Sequence, residues 1–214
     1  MKPLNIIVLI SGNGSNLQAI VDAKNQGHLN VNIQAVISNC ADAYGLTRAA
    51  KANISTQIIR QQDYQERDLF EAALIKAIDG YRPDLIVLAG FMRRLGANLV
   101  RKYSGMIINI HPSLLPKYPG LHTHSKVLQA GDAYHGTSIH FVTEEIDAGP
   151  LISQARLKVS PRDDEDSLKS RVQQLEHHLY PETLQWFAEG RVQLVNGQVL
   201  IDNKPAALSL ENGH

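Results

Sequence analysis

Apolar residues crowd into five stretches of the chain: 5–10, 31–37, 84–89, 105–110 and, more weakly, 55–59. Each is rich in Ile, Val and Leu. None alternates with polar residues, the pattern of strands covered on both faces of a parallel sheet. Between them the period lengthens. Leu17, Ile20 and Val21 fall at i, i+3 and i+4. The segment 63–79 holds Leu69, Ala73, Ile75 and Ala77, with acids early and lysine late, which suits a helix dipole. This alternation over residues 1–110 predicts an α/β fold with a doubly wound, mostly parallel, Rossmann-like sheet.

Beyond residue 110 the pattern changes. Residues 135–143 and 150–159 alternate more and predict an antiparallel pair joined through the turn formers of 144–150. Antiparallel strands are therefore expected towards the C-terminal half. Leu168, Val172, Leu175 and Leu179 form one apolar stripe on a long helix. Pro181 is expected to interrupt or kink that helix. Asn196-Gly197 between apolar runs signals a hairpin over 191–202. The expected organisation is a single domain over 1–203. It divides into an N-terminal half (1–105), a second half (106–190) and a hairpin (191–203), with a disordered tail over 204–214.

Composition removes several function classes. The 214 residues are 43% hydrophobic and 20% charged, with a formal net charge of zero. A nucleic-acid binder that neutralises phosphates would carry a basic excess. The single cysteine, Cys40, leaves no internal disulfide and no Cys-rich zinc site, and it points to a reducing compartment, read here as the cytoplasm. The first apolar run is too short to span a bilayer, so no membrane attachment is expected.

Two motifs carry chemistry. Ser11-Gly12-Asn13-Gly14-Ser15-Asn16 follows the first strand and opens a helix. Glycines let backbone approach a ligand, and the N–H groups of Gly14, Ser15 and Asn16 would face an anion at a helix N-terminus. The plain alternative is a tight turn with Ser15 as N-cap. A dinucleotide fingerprint would need a third glycine where Leu17 stands, and a Walker loop would need Gly-Lys-Ser/Thr. A mononucleotide-sized phosphate fits better than NAD or ATP.

The second motif is Asn109-Ile110-His111-Pro112-Ser113-Leu114-Leu115-Pro116. Asn109 and His111 are two apart, so on a strand they share a face. They lie at a strand's carboxyl end, where open α/β sheets place their sites. A carboxylate at Asp147, in a Gly-containing turn, is the expected partner that orients the imidazole and raises its pKa. Amide donor, imidazole and carboxylate together suit a reaction through an oxyanion. No Ser or Cys sits in a nucleophile elbow, which favours direct attack by a substrate amine on a carbonyl. Nine histidines are present, but around His122 and His124 no carboxylate or thiolate completes a metal-ligand spacing, so no metal is expected.

These motifs, with Leu88-Ala89-Gly90-Phe91-Met92-Arg93, His135-Gly136-Thr137-Ser138 and Asp147-Ala148-Gly149-Pro150, resemble the folate-dependent formyltransferase family. The Ser-Gly-x-Gly-Ser-Asn-Leu loop resembles its glycinamide ribonucleotide branch, the phosphoribosylglycinamide formyltransferases, over roughly residues 4–190. The resemblance implies formyl transfer from the co-substrate 10-formyltetrahydrofolate to the amine of glycinamide ribonucleotide, in purine biosynthesis. It implies a catalytic trio of Asn109, His111 and Asp147, with Asn109 and protonated His111 holding the oxyanion. Gly14, Ser15 and Asn16 would bind the substrate phosphate, and Glu176 the glycinamide end. Met92, Arg93, Arg94 and Leu95, with Asn109, would line the folate side. Arg67 and Arg93 would sit near the folate glutamate tail, and 117–131 would form a mobile loop over the site. Arg94 stands where the family pattern has an apolar residue. The state expected is a monomer or homodimer.

Three other readings compete. Methionyl-tRNA formyltransferases share the Asn-x-His-Pro-Ser core but would add an RNA-binding domain and a basic surface. Formyltetrahydrofolate hydrolases share the trio, normally behind an extra N-terminal regulatory domain. A non-enzymatic nucleotide sensor would have no use for an oxyanion-stabilising trio.

Overall fold

The computed structural model describes residues 2–206 and 210–211. In chain order the elements are β1 Leu4–Ile10, α1 Ser15–Asn25, β2 Val31–Ser38, α2 Tyr44–Lys51, β3 Thr56–Ile58, α3 Arg67–Tyr81, β4 Leu85–Leu88, α4 Ala97–Lys102 and β5 Ile107–His111. Then follow α5 Thr123–Ala130, β6 Tyr134–Phe141, β7 Leu151–Lys158, α6 Glu165–Ala188, β8 Val192–Val195, β9 Gln198–Ile201, β10 Lys204–Pro205 and β11 Leu210–Glu211.

The main sheet has eight strands in the order β11-β7-β6-β5-β4-β1-β2-β3. β1 to β5 run parallel, while β6 is antiparallel to β5 and to β7. Each of the five predicted apolar runs contains a strand; four are covered on both faces, while β3 is an exposed edge strand. Ile6, Val8 and Ile10 enter the core under α1 and α6, whereas Ile7 and Leu9 enter the core under α3 and α4. At about 1.5–3 kcal/mol for each fully buried aliphatic side chain, β1 is a large part of the driving force.

The chain winds from β1 to β2 on one side and returns to β4 on the other. The carboxyl ends of β1 and β4 therefore flank the switch point, the place where such sheets bind ligands. Tyr180 of α6 reaches this place from below. Its fully buried phenol donates to Leu88 O at 2.9 Å, at the end of β4.

The structure departs from the sequence pattern in four places. Pro181 does not break α6, which runs through it for 24 residues. Burial of Leu179, Tyr180, Pro181 and Leu184 against the sheet outweighs the lost backbone bond. The 117–131 segment, expected as a loop, contains α5. The hairpin over 191–202 is present, with Asn196 and Gly197 both at positive φ, and it gains a third strand: Lys204–Pro205 pairs with β9. Leu210–Glu211 lies parallel to β7, so the tail expected to be disordered contributes two short strands; its positions 207–209 and 212–214 lie outside the described residues.

Candidate active site

The glycine-rich loop after β1 is held by backbone and by one arginine. Gly14 is the N-cap of α1, at φ 72°, in the left-handed region open to glycine. A Cβ there would come within 2.6 Å of the Gly45 Cα. Gly45 N–H in turn donates to Gly12 O at 3.0 Å. Arg48 of α2 closes the clasp: Nε donates to Asn13 O at 2.9 Å, Nη2 to Asn13 Oδ1 at 3.0 Å and Nη1 to Gln18 Oε1 at 3.2 Å. The first bond of α1 runs from Gln18 N–H to Gly14 O, so the N–H groups of Ser15, Asn16 and Leu17 remain available at a positive helix end. Ser15 is not the N-cap of the plain turn reading. Its hydroxyl instead accepts from Gln173 Nε2 of α6 at 2.8 Å.

Asn16 faces α6 as well. Its Nδ2 donates to Glu176 Oε2 at 2.8 Å, and its buried Oδ1 has no partner among the described residues. Glu176 is 8% exposed. Burial pushes its carboxyl up to about 7, against the pull of the Asn16 amide. It is therefore part protonated near neutrality.

Across the switch point, β5 carries Asn109 and His111, and the turn between β6 and β7 carries Asp147. His111 is buried, and its Nε2 lies 2.9 Å from Tyr118 O. A carbonyl only accepts, so Nε2 bears the hydrogen. The neutral ring then has its lone pair on Nδ1, 3.4 Å from Asp147 Oδ2. Asp147 adopts φ 51° and accepts from Gly120 N–H at 2.8 Å. Burial works to raise its carboxyl, but the Gly120 N–H and the two imidazoles beside it outweigh burial and hold it below the usual range.

The expectation that Asp147 raises the His111 pKa holds only for its sign. Asp147 and the Tyr118 carbonyl do push it up, but burial is the larger effect, and the ring lies below its ordinary value.

A second imidazole completes the arrangement. His140 of β6 is the register partner of Asn109. Its Nε2 lies 3.2 Å from Asn109 Nδ2 and 3.6 Å from Asp147 Oδ1, and its Nδ1 lies 2.8 Å from Phe141 O. The Pro-rich loop after β5 is tied down by the sheet. Thr137 donates to His111 O, Ser138 to Ser113 O, and Gln154 to Leu115 O. Ser138 also accepts from Leu115 N–H and is fully buried, so it is no nucleophile.

The folate-side residues sit on the loop after β4, which Ser11 pins by accepting from Met92 N–H at 2.7 Å. Met92, Arg93 and Arg94 are exposed, whereas the Leu95 side chain is taken up by the core beside Leu88 and Leu99. Arg67 bonds Glu71 and donates to Arg94 O at 3.1 Å. The Arg94 side chain reaches across to Glu144 O at 2.9 Å. Arg93 makes no hydrogen bond or ion pair among the described residues. Among the described residues no group of three or more His, Cys, Asp or Glu is placed to hold a metal ion, and no helix is long and apolar enough to cross a membrane.

Sequence reasoning missed Arg48, Gln173 and His140. The available signal was weak: an i, i+3 spacing of Gln173 to Glu176, and a histidine on the expected strand 135–143.

The formyl transferase family model matches residues 4–184. The phosphoribosylglycinamide formyltransferase of Escherichia coli K12 is 50% identical over 201 residues, covering 94% of this chain and 95% of its own. The solved structure of the phosphoribosylglycinamide formyltransferase of Coxiella burnetii superposes with a TM-score of 0.93 at 58% identity, covering 96% of each chain. A formyltetrahydrofolate deformylase from Pseudomonas syringae superposes with a TM-score of 0.87 at 25% identity, covering 93% of this chain and 66% of its own. Matched along most of its length and half identical to a relative of nearly its own size, the chain belongs to the formyl transferase family, among the phosphoribosylglycinamide formyltransferases.

Proposed function

We propose that the chain transfers the formyl group of 10-formyltetrahydrofolate to the amine of glycinamide ribonucleotide, giving formylglycinamide ribonucleotide and tetrahydrofolate in purine biosynthesis. The observation that carries the chemistry is the chain of contacts from Asn109 Nδ2 through His140 Nε2 to the Asp147 carboxylate and on to His111 Nδ1, with the hydrogen on His111 Nε2 held by Tyr118 O.

The steps follow from that placement. The substrate phosphate sits on the N–H groups at the start of α1, with Gly14, Ser15 and Asn16 around it. Glu176 receives the glycinamide end. The folate enters beside Met92–Leu95, its glutamate tail towards Arg67 and Arg93. The amine attacks the formyl carbon, and the carbonyl oxygen becomes an oxyanion that accepts from Asn109. His111 Nδ1, neutral at rest, takes the proton the amine loses. The imidazolium so formed is stabilised by Asp147 and returns the proton to the departing folate nitrogen. Every catalytic group comes from one chain, so the mechanism is the same for a monomer or a homodimer, and the site is read as that of a cytoplasmic enzyme.

A second reading, hydrolysis of the formyl donor by water, is favoured by the likeness to the deformylase. One assay separates the two. Formyl transfer is followed with and without glycinamide ribonucleotide. Consumption of the folate only with the nucleotide supports transfer; equal consumption without it replaces transfer by hydrolysis.

A further inference from the structure

We propose that His140 is a positioning residue: it fixes the orientation of the Asn109 amide and so aims one N–H at the developing oxyanion. The inference rests on the formyl-transfer reading above. His140 stands directly across the β5–β6 ladder from Asn109 and is 2% exposed. Its Nδ1 lies 2.8 Å from Phe141 O, and a carbonyl cannot donate, so Nδ1 carries a hydrogen. In the tautomer with Nε2 bare, that atom accepts from Asn109 Nδ2 at 3.2 Å, nearer than Asp147 Oδ1 at 3.6 Å.

This settles which way the amide faces. Turned over, Asn109 would set Oδ1 against the Nε2 lone pair, acceptor to acceptor. The amide nitrogen has two hydrogens, and His140 takes one. The other has no partner among the described residues and is left for the substrate. Phe141 O thus acts through a ring and an amide on the reacting oxygen, as Tyr118 O acts through His111 on the proton. Without His140 the amide would be free to present its oxygen, which repels an oxyanion.

The test compares His140→Leu, His140→Gln and His140→Asn. Leu removes both ring nitrogens. Gln can place an acceptor oxygen where Nε2 stands. Asn can keep a donor near Phe141 O but withdraws the acceptor from Asn109. His140→Leu is expected to lower kcat about tenfold, a fraction of the 10²–10³ that a whole oxyanion donor is worth, with both KM values within about threefold. His140→Gln should recover most of kcat, and His140→Asn should resemble Leu. If Leu yields too little folded protein by circular dichroism, the Gln–Asn pair answers the same question. In an Asn109→Ala background, replacing His140 should cost almost nothing further, because the group it aims is gone. Full kcat in His140→Leu or His140→Asn, or an undiminished loss in the Asn109→Ala background, overturns the proposal. Absence of nucleotide-dependent transfer by the wild-type enzyme would instead refute the formyl-transfer reading.

Discussion

Where we place the phosphate, the groups on offer are backbone N–H groups, and what holds them is the Gly45 backbone against Gly14 and the Arg48 side chain across Asn13. At the reaction end the working groups are titratable side chains, and what holds them is carbonyl oxygen: Tyr118 O on His111 and Phe141 O on His140. The difference follows the demands on each end. A phosphate arrives and leaves with its charge, so fixed dipoles serve it without changing. The formyl carbon passes through an oxyanion and a proton transfer, so its partners must change protonation state while staying in place. Two strands and a turn provide the fixed positions, and burial keeps the His111 ring below its ordinary value of 6.5 and ready to accept.

Substitutions should therefore separate kcat from substrate KM. The largest effect is expected for His111→Ala: kcat lower by about 10²–10⁴-fold, with KM for the ribonucleotide unchanged in steady-state kinetics. A parallel rise in that KM would break the division between the ends. Asp147→Asn sharpens it through pH. The carboxylate raises the His111 pKa against burial, so its loss leaves burial opposed only by the Tyr118 carbonyl. The acid limb of the kcat profile should move to lower pH.

Next comes Gly14→Ala. A side chain at positive φ, pressed on the Gly45 backbone, strains the loop by about 1–3 kcal/mol. The KM for the ribonucleotide should rise by roughly 5- to 150-fold, with kcat at saturation nearly kept. Arg48→Ala should do the same more mildly, raising that KM about three- to tenfold, since charge-assisted bonds at a half-exposed position are partly replaced by water. A lowered kcat with unchanged KM in either variant would contradict the assignment.

The smallest effect is on stability. Glu176 has a folded-state pKa of about 7 against an ordinary 4.5, so the folded chain binds the extra proton between those values. Its contribution to stability is lost as pH rises from about 4.5 to about 7. Glu176→Gln removes the buried charge. Relative to wild type it should gain a few degrees of Tm at pH 8 and little at pH 5, read by thermal melting.

The sequence displayed those parts of the molecule whose neighbours lie close along the chain. Four of the five parallel strands were legible because each is covered on both faces and so is mostly apolar, whereas the exposed edge strand β3 gave the weakest run. The turn at Asn196-Gly197 was legible because its residues accept positive φ. Helices α2, α4 and α5 were not. They have eight, six and eight residues, begin without a side-chain cap, and carry too few turns for a period to emerge. Asn109, His111 and Asp147 stand in motifs that spacing and resemblance single out. Arg48 and His140 act on residues 35 and 31 positions away, and Gln173 on one 158 away, and no local pattern marks such pairs. The pKa direction of His111 was hidden for the same reason: a neighbouring acid can be guessed from a turn, but the depth of burial belongs to the packed sheet.

Helix α6 touches both regions. Gln173 bonds the glycine-rich loop after β1, Glu176 bonds Asn16, and Tyr180 bonds the end of β4 beside the register position of Asn109. Seven residues separate the first contact from the last, two turns or about 10 Å of helical rise. The helix is thus a gauge for length. A single residue inserted between 173 and 180 would turn the second half of the helix by about 100°, so that Gln173 and Tyr180 could no longer meet Ser15 and Leu88 O together.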